Sequence, residues 1–588
     1  MARLTLTLAA ACALVFALGG DEFGPASAGP NSSVHSREAV SSSGMVVTEE
    51  HYATEIGAAV LARGGNAVDA AVAVGYALAV VDPCCGNIGG GGFMLLRLSD
   101  GRERFIDFRE RAPLGATRDM FLDPSGNVKP GASTRGYLAV GIPGTVKGLE
   151  YAREAYGTRA RRELMQPAID LARDGFILGA GDVAIFKDGA ADLAADPVAS
   201  KLFLVGGHAH TVGEVLLQPE LASTLDRIAR DGEAAFYTGP IARAVVRASA
   251  ANGGILTMAD FAAYRAEERA PQHCRYRGYD LLVAPPPSSG GTTLCEIAGI
   301  LDGFPQQIGS YRRARGIARI VEAERSAYAD RNAYLGDPGF VRNPVAQLLA
   351  PRYLARLRAQ IGTRARPSST VHPGLTALRD HDHTTHYSIV DRAGNAVAVT
   401  YTINDDFGAG IAAPETGFLL NNEMDDFTAK PGVPNLYGLV QGSANKIAPG
   451  KRPLSSMAPT IVTKDGKLRI VAGSPGGSRI ITITLGILQH IIDDGQSVQA
   501  AVDAPRIHHQ WLPDTIYAER GAINEATRLE LLRRGYRVTD NALPWGAAEA
   551  ILIDPDGTLH GGSDRRRPAG SAAGPSSGRE TTTSAIPY

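Results

Sequence analysis

A threonine hydroxyl is a poor nucleophile unless a base takes its proton, and one threonine of this chain stands where that can be arranged. Thr384 follows a polar stretch, 361–383, and opens a segment of clear period-two patterning. Residues 384–390 read as a strand, 391–395 as a turn and 396–404 as a second strand, a hairpin with Thr384 at its start. Side chains alternate between the faces of a strand, so Thr400, Thr402 and Asn404 share one face. Other reactive patterns are weaker. Ser443-Ala444-Asn445-Lys446 matches the S-x-x-K acyl-transfer pattern, but it lies in a Gly/Pro loop and no K-T-G accompanies it. Ala472-Gly473-Ser474-Pro475-Gly476 misses the G-x-S-x-G elbow at its first position. There is no Walker A sequence, and the glycine run 86–92 does not spell G-x-G-x-x-G. His381, His383 and His386 invite a metal reading, yet on an extended chain His386 faces away from the other two. No H-E-x-x-H or nearby cysteine completes a site, so a solvated histidine cluster with no metal is expected.

These groups need a frame. A helical pattern over 54–62 ends at Gly64-Gly65, and Asn66 is placed to cap a second, Ala/Val-rich helix over 67–80. That helix is apolar on nearly every side and is expected to be fully buried. The glycine run leads into a strand over 93–98, and the middle of the chain alternates helical stretches, such as 318–334, with Gly/Pro breaks. Residues 468–472 read as a strand, 473–477 as a turn and 478–491 as a helix. Residues 29–44 are Ser/Gly/Pro-rich and read as a leader loop. From about Pro568 the chain is Ser/Gly/Thr-rich and expected to be disordered.

At 588 residues the chain has room for about four ordinary domains at roughly 150 residues each. With 44% hydrophobic and 20% charged residues it is globular, and a net charge of -2 gives no broad pull toward nucleic acid or anionic membrane. Arg3, an apolar run over 4–18 and Ala26-Ser27-Ala28 together read as a secretory signal, 1–28, because the run is short for a membrane span. The mature protein is therefore expected to be exported, periplasmic or secreted, with no membrane span after the signal is removed. Export leaves Cys84, Cys85, Cys274 and Cys295, which can form disulfides. Cys84 and Cys85 are adjacent, a spacing that disfavours a bond between them.

The hairpin from Thr384-Thr385-His386-Tyr387-Ser388 to Thr400-Tyr401-Thr402-Ile403-Asn404 has companions further along. They are Asn421-Asn422-Glu423-Met424-Asp425-Asp426-Phe427, Arg452-Pro453-Leu454-Ser455-Ser456-Met457 and Gly473-Ser474-Pro475-Gly476-Gly477-Ser478-Arg479. Gly86-Asn87-Ile88-Gly89-Gly90-Gly91-Gly92, Asp107-Phe108-Arg109-Glu110 and Pro285-Pro286-Pro287-Ser288-Ser289-Gly290-Gly291 precede them. In this order, over roughly 40–568, they resemble the γ-glutamyltranspeptidase family. The resemblance implies the α+β, four-layer αββα sandwich of the N-terminal-nucleophile hydrolases. It also implies autocatalytic cleavage between His383 and Thr384, giving a large subunit, 29–383, and a small one, 384–588, as a heterodimer. Thr384 would then use its own α-amine as base, directly or through water. By the same resemblance Thr402 orients the Thr384 hydroxyl, and Gly476 and Gly477 form the oxyanion hole, their N–H groups unobstructed by side chains beside a helix start. A γ-glutamyl group carries an α-carboxylate and an α-ammonium. Arg109 is the expected bidentate partner of the carboxylate, with Ser455 and Ser456 assisting. Asp426, Glu423 and Asn404 are expected to hold the ammonium, with Asp425 as a structural acid. Residues 431–442 resemble a lid, with Tyr437 as its aromatic.

The implied reaction cleaves the γ-glutamyl amide of glutathione or related donors, with no cofactor. It passes the acyl group to water, or to amino acids or dipeptides. Within the same family a cephalosporin acylase would take glutaryl amides, which lack the α-ammonium; Glu423 and Asp426 favour γ-glutamyl. An unprocessed, inactive member is the non-enzymatic alternative.

Overall fold

The period-two segment forms an antiparallel hairpin, Thr385–Asp391 against Ala396–Thr402, with Thr385 opposite Tyr401 and His386 opposite Thr400. This hairpin lies at the centre of a seven-stranded sheet in the order Ser571–Ala573, Gly44–Thr48, Thr385–Asp391, Ala396–Thr402, Gly91–Arg97, Glu103–Phe108, Glu267–Arg269. A second seven-stranded sheet runs Glu38–Ser41, Leu559–Ser563, Glu549–Ile553, Lys467–Gly473, Thr460–Lys464, Tyr279–Val283, Gln272–Tyr276. Every pairing within these two sheets is antiparallel. The computed structural model describes residues 37–306, 308–371, 384–541 and 545–575. The signal over 1–28, His381, His383 and the tail from 576 lie outside them.

Alternation along the strands decides what each face meets. Phe93, Leu95, Ala396 and Ala398 turn toward the second sheet and pack with Leu282, Ile461, Val471 and Ile551. Their neighbours Met94, Leu96, Val397 and Val399 turn the other way, into a core with the helices His51–Ala62, Ala67–Val81 and Arg161–Asp174. The outer face of the second sheet, through Leu281, Val283, Ile470 and Ala472, packs on Gly290–Asp302, Ala314–Tyr334 and Ile480–Ile492. The result is a mixed α/β fold built on antiparallel sheets. Asn66 caps the second helix through Val68 N and Asp69 N, both at 2.9 Å, and all of Ala67–Val81 is buried, as its all-round apolarity requires.

Several expectations change. The described residues gather into one compact unit rather than four domains. The Ser/Gly-rich ends are not wholly loop: Glu38–Ser41 and Ser571–Ala573 are edge strands, the latter pairing with Thr48, Val47 and Val46. Strand pairing uses backbone groups, so small side chains suffice where a sheet edge offers partners. Cys84 and Cys85 are bonded to each other, against the expectation from adjacency, and Cys274 pairs with Cys295. The adjacent pair sits in a buried turn whose carbonyls are fixed, Phe407 N donating to Cys84 O at 3.0 Å and Ile403 N to Cys85 O at 3.3 Å. Arg567 Nη2 approaches Cys85 Sγ at 2.8 Å. The turn thus braces the chain just beyond Thr402.

Candidate active site

One register step beyond the Thr385–Tyr401 pair brings Thr384 opposite Thr402, on the face turned toward the second sheet. Thr384 Oγ1 donates to Thr402 Oγ1 at 3.3 Å, and Asn404 N donates to the same oxygen at 2.8 Å. Close approach of the glycine run keeps this end of the hairpin in place. A Cβ on Gly90 would stand 1.8 Å from Thr402 O, so no other residue fits there. Asn404 leaves the strand with φ 78, a left-handed conformation that Asn tolerates better than most residues. Its Oδ1 and backbone O both receive Tyr437 Oη, at 2.8 and 2.6 Å.

Thr384, Thr402, Asn404, Arg109, Glu423, Asp426, Tyr437, Ser455, Ser456 and Gly477 line one small cavity with Met457 and Ile480. Gly476 is not part of that lining; it precedes Gly477 in the turn after Lys467–Gly473. Gly477 takes φ 51, and a Cβ there would stand 2.5 Å from the Tyr437 ring. The helix following the turn starts at Ile480 rather than 478, because Gly477–Arg479 form a 3-10 turn first.

Charge gathers at the opposite end. Arg109 is fully buried and ion-paired to Glu423 and Asp426, with Glu110 at 3.5 Å and Pro453 O accepting from its Nε at 3.2 Å. Burial alone would lower its pKa; the attraction of Glu423, Asp426 and Glu110 outweighs burial and raises it. Burial pushes Glu110 up to about 7 and raises both Glu423 and Asp426, against the pull of Arg109. Asp425 turns away, accepting from Ser133 Oγ at 2.7 Å and Leu436 N at 2.8 Å; this anchors the loop that carries Tyr437. That loop is itself closed by a bridge between Pro434 and Val440.

The remaining candidates fall elsewhere. Ser443 is exposed, in the 3-10 turn Ser443–Asn445, outside the cavity lining. His386 is not solvated but fully buried between the sheets. Its Nδ1 is 2.8 Å from Thr400 Oγ1, its Nε2 is 3.1 Å from Ser388 Oγ, and burial lowers its pKa to about 3. The strand pattern hid this because a buried neutral imidazole needs only two hydroxyls, which alternation supplied. Asp82, Cys84 and Cys85 lie close enough together to suggest a metal site among the described residues, but both sulfurs are committed to a disulfide.

Three contributors had no sequence signal. Glu110 reads as one more charge beside Arg109. Glu49 accepts from His386 N at 2.8 Å and from Arg567 Nε at 2.9 Å, with its pKa raised by burial to about 8. Arg331, on the helix Ala314–Tyr334, reaches Ser456 across 125 positions of sequence.

The Gamma-glutamyltranspeptidase family model matches residues 53–574. The chain is 52% identical over 542 residues to the glutathione hydrolase proenzyme of Pseudomonas sp. (strain A14), covering 90% of this chain and 94% of that one. It is 49% identical over 525 residues to the glutathione hydrolase proenzyme of Escherichia coli (strain K12), covering 89% and 90%. The crystal structure of cephalosporin acylase from Bacillus halodurans superposes with a TM-score of 0.81 at 27% identity, over 95% of this chain and 100% of that one. A family match across most of the length, joined to a hairpin-end threonine in a cavity with a buried guanidinium and acids, places this chain in the gamma-glutamyltranspeptidase family.

Proposed function

We propose that the chain is cut between His383 and Thr384, and that Thr384 then cleaves γ-glutamyl amides, glutathione among them. The carrying observation is the shared cavity: Thr384 and Thr402 at one end, Arg109, Glu423 and Asp426 at the other. In this mechanism the freed α-amine of Thr384 takes the proton of its own hydroxyl, whose orientation Thr402 fixes. The oxygen attacks the γ-carbonyl carbon, and the N–H groups of Gly476 and Gly477 stabilise the oxyanion. The tetrahedral intermediate collapses, the amine (cysteinylglycine from glutathione) takes the proton and leaves, and the γ-glutamyl group stays as an ester on Thr384. Water completes hydrolysis; an amino acid or dipeptide amine completes transfer. Asp426, Glu423 and Asn404 hold the α-ammonium, Arg109, Ser455 and Ser456 the α-carboxylate, and Tyr437 covers the site.

The packing of two sheets between helical layers supports the αββα sandwich of N-terminal-nucleophile hydrolases, and the cut would make a heterodimer of 29–383 and 384–588. No helix among the described residues is long and apolar enough to cross a membrane. With the signal pattern over 1–28, that supports an exported, periplasmic or secreted enzyme. The structural likeness to a cephalosporin acylase supports a second reading, glutaryl amide hydrolysis. The acids around Arg109 weigh against it, since a glutaryl group has no ammonium for them to hold. N-terminal sequencing of the smaller fragment, with turnover of γ-glutamyl and glutaryl anilides, tests both steps. A start at Thr-Thr-His-Tyr and preference for the γ-glutamyl anilide are expected; another start, or exclusive use of the glutaryl anilide, overturns the respective step.

A further inference from the structure

Two buried guanidiniums stand near the cavity, and they keep different company. Arg109 is surrounded by carboxylates. Arg331, 1% exposed, has only neutral hydrogen-bond partners among the described residues. Its Nε donates to Ser289 Oγ at 2.8 Å and its Nη2 to Ser456 Oγ at 2.9 Å. Its Nη1 donates to Asn332 Oδ1 at 2.9 Å and to Gln441 Oε1 at 3.3 Å. The acid whose charge Arg331 feels, Asp426, is itself paired with Arg109, and among the described residues no carboxylate hydrogen-bonds to Arg331. A buried charge with no acid of its own is costly. Burial lowers the Arg331 pKa to about 10, which leaves it charged at neutral pH.

Hydrogen counting gives the arrangement a direction. A guanidinium has donors and no acceptor. Ser456 Oγ must therefore accept from Arg331, and its own hydrogen is left for an acceptor in the cavity it lines. Ser289 Oγ likewise accepts from Arg331 and donates to Ser455 O at 2.5 Å, while Ser289 N donates to the same carbonyl at 2.8 Å. That fixes the backbone of Ser455, whose Oγ accepts from Met457 N at 3.1 Å and also has its hydrogen to give. One arginine thus sets Ser456 as a donor and, through Ser289, holds the backbone that carries Ser455.

We propose that Arg331 is a positioning residue for carboxylate recognition: it holds Ser455 and Ser456 with their hydrogens available to the substrate's α-carboxylate and places a second positive charge behind them. This rests on the γ-glutamyl reading above. It explains how a carboxylate can be bound although Arg109 is already engaged by acids.

The test compares acyl groups that differ by one charge. A 4-aminobutyryl anilide is the γ-glutamyl anilide without its α-carboxylate. In Arg331→Gln the KM for the γ-glutamyl anilide should rise about tenfold or more with kcat within roughly threefold, as expected for lost ground-state binding. The preference for γ-glutamyl over 4-aminobutyryl should fall by a similar factor, and Arg331→Lys, which keeps the charge, should restore part of it. An unchanged preference, with both substrates slowed equally, overturns the proposal. If Arg331→Gln does not mature, Arg331→Lys alone decides by the same ratio: a lowered preference supports the proposal and an unchanged one refutes it. If the wild-type enzyme takes only glutaryl anilides, the substrate reading falls. Arg331 is then judged by glutaryl against butanoyl anilide, which again differ by that carboxylate.

Discussion

At one end of the cavity Thr384 and Thr402 meet across a regular antiparallel ladder, neutral hydroxyl against neutral hydroxyl. At the other, Arg109 is enclosed by Glu110, by Glu423 and Asp426 of the short 3-10 turn Glu423–Asp426, and by the loop after Arg452. The first end is positioned by backbone hydrogen bonds that do not depend on which side chains face the cavity. The second is positioned by charges that hold one another, so each is a condition for the rest. Changes at the hairpin end should therefore alter the rate of the chemical step with little effect on binding. Changes at the charged end should alter binding, selectivity and stability together.

The largest effect tests the hairpin end directly. Thr384→Ala should leave the chain uncut on a denaturing gel and lower turnover at least ~10⁴-fold; a normally processed, active variant would remove Thr384 from the mechanism. Next, Thr402→Val keeps the β-branched shape and deletes the hydroxyl that orients Thr384. Its kcat should fall ~100-fold while KM stays nearly constant, and a shift confined to KM would erase the contrast between the two ends. At the charged end, Asp426→Asn keeps the shape and removes one charge facing Arg109. Here KM for the γ-glutamyl anilide should rise about 10- to 100-fold, and the relative rate on the glutaryl anilide should increase. Equal losses on both substrates would mean that Asp426 does not read the ammonium.

The smallest expected effect concerns pH. Burial lowers the His386 pKa from 6.5 to about 3, so between those values the unfolded chain binds a proton that the folded one refuses. The stability advantage of a neutral His386 is complete above about 6.5 and is lost as pH falls toward 3. Glu49, raised to about 8, acts with the opposite sign: its folded form keeps a proton that the unfolded chain releases, so stability drops as pH rises toward 8. Melting temperatures of wild type and His386→Gln should therefore converge by roughly a few degrees between pH 6.5 and pH 4. A constant gap would show that His386 is not held neutral by burial.

Much of the hairpin end was legible because its patterns are local. Alternation over 384–404 placed both strands, the Asn66 cap fixed the start of Ala67–Val81, and the glycine turn marked the end of Lys467–Gly473. The edge strands Glu38–Ser41 and Ser571–Ala573 escaped notice because their side chains carry no pattern and their pairing is all backbone. Arg331 was invisible for another reason: its partners Ser289, Gln441 and Ser456 are 42, 110 and 125 positions away, and no spacing rule reaches so far.

The order of residue types along the chain alone determined the family pattern, the alternation that puts Thr400, Thr402 and Asn404 on one strand face, and the glycines that let the backbone approach them. Those features depend on neighbours within a few residues, where local sterics and periodicity govern. Tertiary structure alone decided that His386 is buried and neutral and that Cys84 and Cys85 are joined. It alone set three acids around Arg109 and put Arg331 behind the serines. Apart from the Cys84–Cys85 bond and the Arg109–Glu110 contact, which join sequence neighbours, these depend on desolvation and on contacts between distant segments, which exist only once the sheets and helices have packed.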